Sequence, residues 1–492
     1  PSLIFAGKDE VLLDDSRRMH NKLVSSGCTS ELVEAEGMWH AYVLYCIKER
    51  ACDLDRINAF LNRFLSHERK LRWMRLDPAA KRRKWNNFFR LSATLCDEVD
   101  KTVLRNAMDV TMRRFPSIAV RLCRGAFWYY LEELSSAPEI TDEKSWPLAH
   151  TPFESINECA LRVIVYKNRI AVEFYHALTD GTGGMVFLKS LLAEYIEQKY
   201  GVEIPNECGV LDRLTQPQEE ELEDSFSKNA GSVSVSRNAS TAFKIHYTPE
   251  RDDFRHLTTF ILDSNAALAA AKSCGVSLTV YLTSAMLLAL QRIQDEQTPD
   301  KRRQKPIRVV VPVNLRRLFP SRTLRNFVHV IMPEIDPRMG DYEFSEILTS
   351  VKHQLGLLVT KKNLCAMFTP NVNAERSPLL RVMPLFLKNI AMKLVYDTVG
   401  ERTNCLNLSN LGDIKVPDAM RRYVTRFDFI LGVQATKPNN CGVLSYNGKL
   451  YMNFIRNTVE PVLEFQFYQV LRELGLHVKV ESNGAGNISD SN

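Results

Sequence analysis

Apolar and polar positions alternate most clearly between Arg169 and Tyr175, where Ile170, Val172 and Phe174 share one side of an extended run. That spacing predicts a strand whose next residue on the same side is His176. After Asp180-Gly181 and Thr182-Gly183-Gly184 the period changes, and Met185, Leu188, Leu191, Leu192, Tyr195 and Ile196 fall at helical spacing. The pattern is strand, glycine-rich turn and helix, with a histidine at the strand's end. Residues 161–166 predict a partner strand, joined to the first by Lys167-Asn168 as a hairpin. Earlier, Phe89 opens a strand, and Val103, Leu104, Ala107, Val110 and Thr111 line one face of a helix from Lys101 to Arg113 that Pro116 ends. Gly125 to Leu131 is a strongly β-prone run.

The second half shows the same mixture. A strand is expected over 257–262, then a helix capped by Asp263 or Ser264 and running through Cys274, with Gly275 placed to end it. A long apolar helix follows over 276–292, too short to span a membrane and better buried against a sheet. Strands are expected over 307–316, 326–335, 426–433, 442–447 and 449–454, the last two joined by Asn447-Gly448. Helices are expected over 342–361, 378–396 and 460–474. Three stretches lack a period. Residues 67–88 are a basic connector whose Trp73, Leu76 and Trp85 would dock on the next domain. Residues 205–242 are acidic, then serine-rich, and read as a solvated tether. Residues 481–492 read as a disordered tail.

Composition narrows the classes. The 492 residues, 45% hydrophobic and 25% charged, fit an ordinary globular protein of several domain-sized units. A net charge of +6 makes no case for nucleic acid. Eleven cysteines without a CxxC pair or a Cys/His cluster at zinc spacing are expected to be reduced, mostly buried thiols of a cytoplasmic protein with no metal site. No apolar run is long enough to cross a bilayer, although the basic connector leaves peripheral membrane contact open. Pro1 stands where an initiator methionine would be expected, which predicts further chain upstream.

The candidate chemistry lies at the strand-to-helix turn. His176-Ala-Leu-Thr-Asp180-Gly181 resembles the HxxxDG motif of the CoA-dependent acyltransferase superfamily. That superfamily includes chloramphenicol acetyltransferase, peptide-synthetase condensation domains and bacterial alcohol-acetyltransferase-like proteins. Further segments share the resemblance in order: WMRLDPAAK at 73–81, GVSLTVYLTSAMLLAL at 275–290, PVNLR at 312–316 and SNLG at 409–412. The resemblance implies an α/β sandwich of two chloramphenicol-acetyltransferase-like halves with a tunnel between them, residues 89–204 and 243–480, joined by a crossover at 205–242. It implies that His176 is the general base, since a neutral imidazole suits removal of a proton from an attacking hydroxyl. Asp180 would pair with Arg316 and hold the turn, and Gly181 would take up a backbone conformation that other residues resist. Ser409 and Asn410 would be donors to the oxyanion. Acyl-CoA would be a co-substrate rather than a tightly bound cofactor, the acceptor a small alcohol, and the enzyme a monomer. The plainer readings are a buried structural histidine with Asp180 as a helix cap, Arg316 as a surface cation beside Arg317 and Arg322, and polar turn chemistry at Ser409 and Asn410.

Residues 1–66 differ. Ser2–Ala6 and Ser30–Ala35 read as strands around a helix at 16–25, and the segment resembles the C-terminal part of an α/β-hydrolase. The match places the triad acid on Asp9, the triad histidine on His40 and a closing helix at 54–65. No GxSxG nucleophile elbow occurs in the chain, so these residues cannot acylate alone. Three alternatives accompany the acyltransferase reading. One is condensation-type transfer from a carrier-protein thioester, against which Tyr175 stands where that motif has a first histidine. Another is a non-catalytic domain. The last is esterase activity of a longer parent chain through Asp9 and His40.

Overall fold

The computed structural model describes residues 2–38, 53, 55–57, 60, 72–73 and 87–483, apart from 126, 135, 144, 150–157, 234–239, 252–253, 378–379, 381–382, 396–401 and 435–436. The chain divides into two units, Pro1–Arg72 and Trp73–Asn492. In the first, β1 (Ser2–Gly7) runs parallel to β2 (Ser30–Ala35), and the crossover that parallel pairing requires is α1 (Leu13–Ser25). The helix begins ahead of the expected Ser16 because Asp14 and Asp15 sit in its first turn, where negative charge is favoured. Asp9 is exposed in the turn after β1, its N–H donating to the Met38 carbonyl at 3.4 Å. His40 and most of the expected helix at 54–65 lie outside the described residues, as does most of the basic connector.

The second unit opens with β3 (Phe88–Leu95) and α2 (Lys101–Arg114), whose N-cap is Asp100. The expected strand over 125–131 is a correction. Its first part is the turn between β4 (Val120–Arg124) and β5 (Tyr129–Glu133), closed by Gly125 N–H on the Trp128 carbonyl at 2.9 Å. Aromatic β-propensity does not register that turn. Then come β6 (Ile140–Asp142), β7 (Leu161–Tyr166), β8 (Arg169–Tyr175) and α3 (Gly181–Tyr200). The helix α3 ends at Gly201 in the left-handed region.

The crossover is not the free tether expected from its composition. It folds into two short helices, α4 (Glu219–Leu222) and α5 (Ser225–Asn229). Glu221 is buried and takes a bidentate pair from Arg114 at 2.6 and 2.7 Å. An acidic run looks solvated until a buried arginine on another element claims one of its carboxylates.

Next come β9 (His256–Asp263), α6 (Ser264–Ser273), α7 (Leu278–Gln297), β10 (Ile307–Asn314), β11 (Val328–Ile331) and β12 (Glu334–Ile335). The expected strand over 326–335 is thus broken, with Asn326 outside it and Pro333 in the gap. The expected helix over 342–361 is α8 (Phe344–Leu358). It is followed by an unexpected α9 (Lys361–Arg376), started by the Thr360 side-chain cap and containing Pro370. Then come α10 (Leu385–Val395), β13 (Leu406–Asp413), β14 (Val424–Leu431), β15 (Asn439–Tyr446), β16 (Lys449–Arg456) and α11 (Val462–Glu473). Residues Lys479–Ser482 form β17 and pair with β9, so residues 481 and 482 belong to a strand rather than to the tail expected from 481.

Among the described residues of the second unit, most strands join into one sheet of order β14-β3-β8-β7-β6 and a larger one of order β11-β10-β13-β15-β16-β9-β17, with β12 on β10, while β4 and β5 pair antiparallel outside both. The strand β14 therefore leaves the second half and completes the first sheet, Phe429 opposite Leu91 and Phe427 opposite Ala93. Helices α2 and α3 cover one face of the first sheet, and Leu444, Tyr446 and Tyr451 of the second sheet join the same core. Helices α7, α8 and α11 cover the outer face of the second sheet. No single helix among the described residues is long and apolar enough to cross a membrane.

On the face of β3 and β8 opposite those helices, Arg90 and Glu173 are buried with a set of charges. Arg90 donates to Glu143 at 2.5 Å, Arg169 also pairs with Glu143, and Arg162 pairs with Glu173. Burial alone would push the Glu143 carboxyl up, but Arg90 and Arg169 hold it below its usual value. Such a carboxylate contributes stability that is present above its unfolded-state pKa, about 4.3, and is lost as pH falls through the folded value. Glu143→Gln is expected to lower stability at neutral pH and to flatten the acid-side decline below about pH 4.3. Urea titrations across that window check this, and equal slopes for the two proteins would exclude it.

Candidate active site

Strand β8 delivers His176 because its alternation is satisfied: Ile170, Val172 and Phe174 are fully buried against α2 and α3. The imidazole, half-buried, meets the Phe89 ring edge-on at 5.2 Å. Its backbone N–H donates to the Asn87 carbonyl at 2.7 Å. Asn326 Nδ2 lies 3.1 Å from His176 Nδ1 and 3.2 Å from the His176 carbonyl oxygen.

Asp180 is 1% exposed, and its two oxygens do different work. Oδ1 accepts from the backbone N–H groups of Thr182 and Gly183 at 3.0 Å each, the N-cap of α3. Oδ2 accepts from Arg316 Nη1 at 2.7 Å and from Phe327 N–H at 2.8 Å. The cap and the ion pair therefore coexist on one carboxylate. Arg316 sits in a 3₁₀ turn after β10, begun by the Asn314 side chain. Its Nε donates to the Thr323 carbonyl at 2.9 Å and its Nη2 to the Arg325 carbonyl at 2.6 Å. Asn314 Nδ2 reaches back to Thr182 Oγ1 at 3.1 Å.

Two glycines need correction. Gly181 has no positive φ, so its role is not an unusual backbone conformation. The nearest atoms to a Cβ there would be those of the Leu411 side chain, the first at 2.6 Å. The stringent position is Gly183, where a Cβ would lie 2.3 Å from the Leu324 carbonyl oxygen and 2.3 Å from Thr179 Oγ1. Thr179 Oγ1 also donates to that carbonyl at 2.6 Å. The loop 321–327 is thus seated directly on the first turn of α3.

Ser409 and Asn410 lie on β13 rather than in a turn. Ser409 is buried opposite Gly442. Asn410 is engaged at both ends, Nδ2 on Thr279 Oγ1 at 3.2 Å and Oδ1 accepting from Gly412 N–H at 2.8 Å. No hydrogen bond among the described residues joins either to His176. Leu411, between Asn410 and Gly412, is the residue that reaches the turn. Asn326, Thr179, Asn314 and Gly183 were missed by the sequence reading. Thr179 lies inside the motif, Gly183 in the glycine pair after it and Asn314 inside PVNLR, while Asn326 carried no signal.

The cysteines also differ from expectation. Of the described ones, all free, Cys28, Cys96, Cys208 and Cys274 are exposed and only Cys405 and Cys441 are buried. Helix and strand periodicity says little about a small side chain at an edge. Burial pushes the Cys405 thiol up to about 11 and the Cys441 thiol well above its usual value, so neither is a ready nucleophile. No group of three or more His, Cys, Asp or Glu able to hold a metal ion occurs among the described residues.

Comparison with solved structures identifies the fold. The chain is similar to the condensation domain of the Monacolin K polyketide synthase MokA, with a TM-score of 0.50 at 10% identity, over 82% of this chain and 96% of that one. It is also similar to the trichothecene 15-O-acetyltransferase TRI3 from Fusarium sporotrichioides, TM-score 0.48 at 13% identity over 83% and 95%. The first condensation domain of the calcium-dependent antibiotic synthetase gives 0.49 at 13% over 81% and 92%. No protein-family model and no curated protein matches the sequence. The first of these structures shows a condensation-type fold.

The contrast between the two glycines is testable. Gly181→Ala is expected to be near neutral because a leucine side chain can move aside, whereas Gly183→Ala meets a backbone carbonyl and is expected to cost about 1–3 kcal/mol or more. Denaturant unfolding of both variants measures the difference, and equal stabilities would refute the seating of the loop on α3.

Proposed function

We propose that the chain is an acyltransferase that moves an acyl group, acetyl foremost, from a CoA thioester to an alcohol, with His176 as general base. The observation that carries this reading is the Asp180 carboxylate, which binds the turn behind His176 to Arg316 and Phe327 of the other half through hydrogen bonds of 2.7 and 2.8 Å. The half-buried position of His176 at the end of β8 supports a proton-transfer role. His176 takes the acceptor's hydroxyl proton as the oxygen attacks the thioester carbonyl. The tetrahedral intermediate then expels the CoA thiolate, which receives the proton from the imidazolium. Asp180 and Arg316 hold the turn and take no proton themselves. Ser409 and backbone N–H groups remain candidate donors to the oxyanion, while the two engaged ends of Asn410 count against it. In this reading both substrates enter a tunnel between the halves, the enzyme is a monomer, and no covalent acyl-enzyme forms. The exposed free thiols fit a reducing, cytoplasmic setting.

A second reading takes the acyl group from a carrier protein, and the similarity to condensation domains favours it. Tyr175 counts against it: the side chain at the place of that motif's first histidine is buried, packed on Phe88 at 5.7 Å, and contributes to the core rather than to proton transfer.

His176→Ala is expected to lower kcat/KM for ester formation about 10²–10⁴-fold with the fold intact. Product mass spectrometry over a panel of acyl-CoA donors and alcohols checks it, and unchanged ester formation would remove His176 from the mechanism. Activity only with an acyl-loaded carrier protein would favour the second reading.

A further inference from the structure

A surface helix ordinarily turns its apolar residues inward and its charges outward. The described side chains of α10 are arranged the other way. Lys388 is 1% exposed, while Phe386, Leu387 and Ile390 are 56%, 44% and 58% exposed. The inward fastenings are polar. Lys388 Nζ donates to the Phe127 carbonyl at 2.7 Å and lies over the Trp128 ring, 3.5 Å from its centroid. Asn389 Nδ2 donates to Tyr129 Oη at 3.2 Å. Of the apolar side chains described on the helix, Leu385 alone is buried, in a cluster with Tyr175 and Leu178, which flank His176 in the sequence. The helix is therefore fixed to the β4–β5 turn by a cation and an amide and to the core by one leucine, and the side left to solvent is apolar.

Phe127, whose carbonyl accepts from Lys388, is itself 45% exposed. Single apolar side chains on a surface need no explanation, but four gathered on one helix and the turn it is fastened to mark a face that meets an apolar medium. Charge decides which medium. From Arg376 to Tyr396 the sequence holds Arg376, Arg381, Lys388 and Lys393 and no acidic residue. Arg376 is exposed, and so is Arg124, opposite Tyr129 in the hairpin. A two-fold contact with a second copy would set this basic segment against itself. An anionic lipid surface supplies apolar chains and negative headgroups together.

We propose that α10 and the turn carrying Phe127 seat the protein on an anionic bilayer surface, with Phe386, Leu387, Ile390 and Phe127 entering the boundary between headgroups and acyl chains. Lys388 takes no part in the lipid contact, because it is committed inward. The eleven residues of α10 are too few to cross a bilayer, so the contact is peripheral. This surface is distinct from the basic connector at 67–88, and the proposal does not depend on the acyl-transfer reading.

The test is flotation of the full chain with vesicles of phosphatidylcholine alone or mixed with phosphatidylserine. Binding to the mixed vesicles is expected, and added salt is expected to weaken it. The triple variant Phe386→Ser, Leu387→Ser, Ile390→Ser is expected to bind them about tenfold or more weakly. Met339→Ser with Leu357→Ser, at exposed apolar positions on other elements, is expected to leave binding unchanged. Phe386→Trp keeps the apolar character and gives a second reading: brominated lipid is expected to quench its added fluorescence beyond that of the five native tryptophans. Absence of binding, equal binding to both kinds of vesicle, an unchanged triple variant, the same loss in the control variant, or no added quenching would each overturn the proposal. So would a dimer in sedimentation velocity that the triple variant abolishes, which would assign the face to a second copy. If the triple variant fails to fold, the quenching of Phe386→Trp decides alone.

Discussion

The structure of the site depends on one buried carboxylate being fully hydrogen-bonded. Asp180 is almost without solvent, and a buried charge is tolerated only when its lone pairs are occupied. Two are occupied locally, by the first N–H groups of α3, which also need acceptors because a helix start leaves them without partners. The other two are occupied from far along the chain, by Arg316 and by the N–H of Phe327. The same atom group that starts a helix therefore fastens the first half of the fold to the second, and the histidine four residues earlier is held between them.

The segment supplying those distant partners is itself braced. Thr323 and Arg325 give their carbonyls to Arg316, Leu324 gives its carbonyl to Thr179, and Asn326 meets His176. On its other side the crossover holds the loop. Leu324 N–H donates to the Glu221 carbonyl at 2.8 Å, Ser225 and Ser321 hydroxyls meet at 2.7 Å, and Phe226 stacks edge-on against Phe327 at 4.9 Å. Glu221 is fixed in turn by Arg114 at the end of α2. A stretch that composition marks as a tether is thus part of the support for the motif. The two halves are also tied by strand exchange: β14 runs beside β3, and a Cβ at Gly442 of β15 would lie 2.2 Å from the Phe429 carbonyl oxygen, so the backbones meet there without room for a side chain.

The legible part of the fold was the part written in local periodicity. The strand β8, the hairpin with β7, the helix α3 and the Asn447-Gly448 turn, with positive φ at both residues, follow from alternation, turn chemistry and helical spacing. What failed was punctuation. The turn at 125–128 sits inside aromatic residues that favour strands, α9 contains a proline, and the strand beyond Asn326 is cut by Pro333. In each case packing against other elements outweighed local preference.

For the site, the sequence by itself determined the position of His176 at a strand's end and of Asp180 at a helix start, because period and capping act over a few residues. Its resemblance to a family also marked Arg316 as the distant partner of Asp180. Only the tertiary structure decided that one carboxylate serves as cap and ion-pair acceptor together, that Gly183 rather than Gly181 is the glycine the turn cannot replace, and that Asn326 meets the imidazole. Those relations join residues up to about 150 positions apart, and no local pattern encodes which residues a folded chain will bring within hydrogen-bond distance of each other.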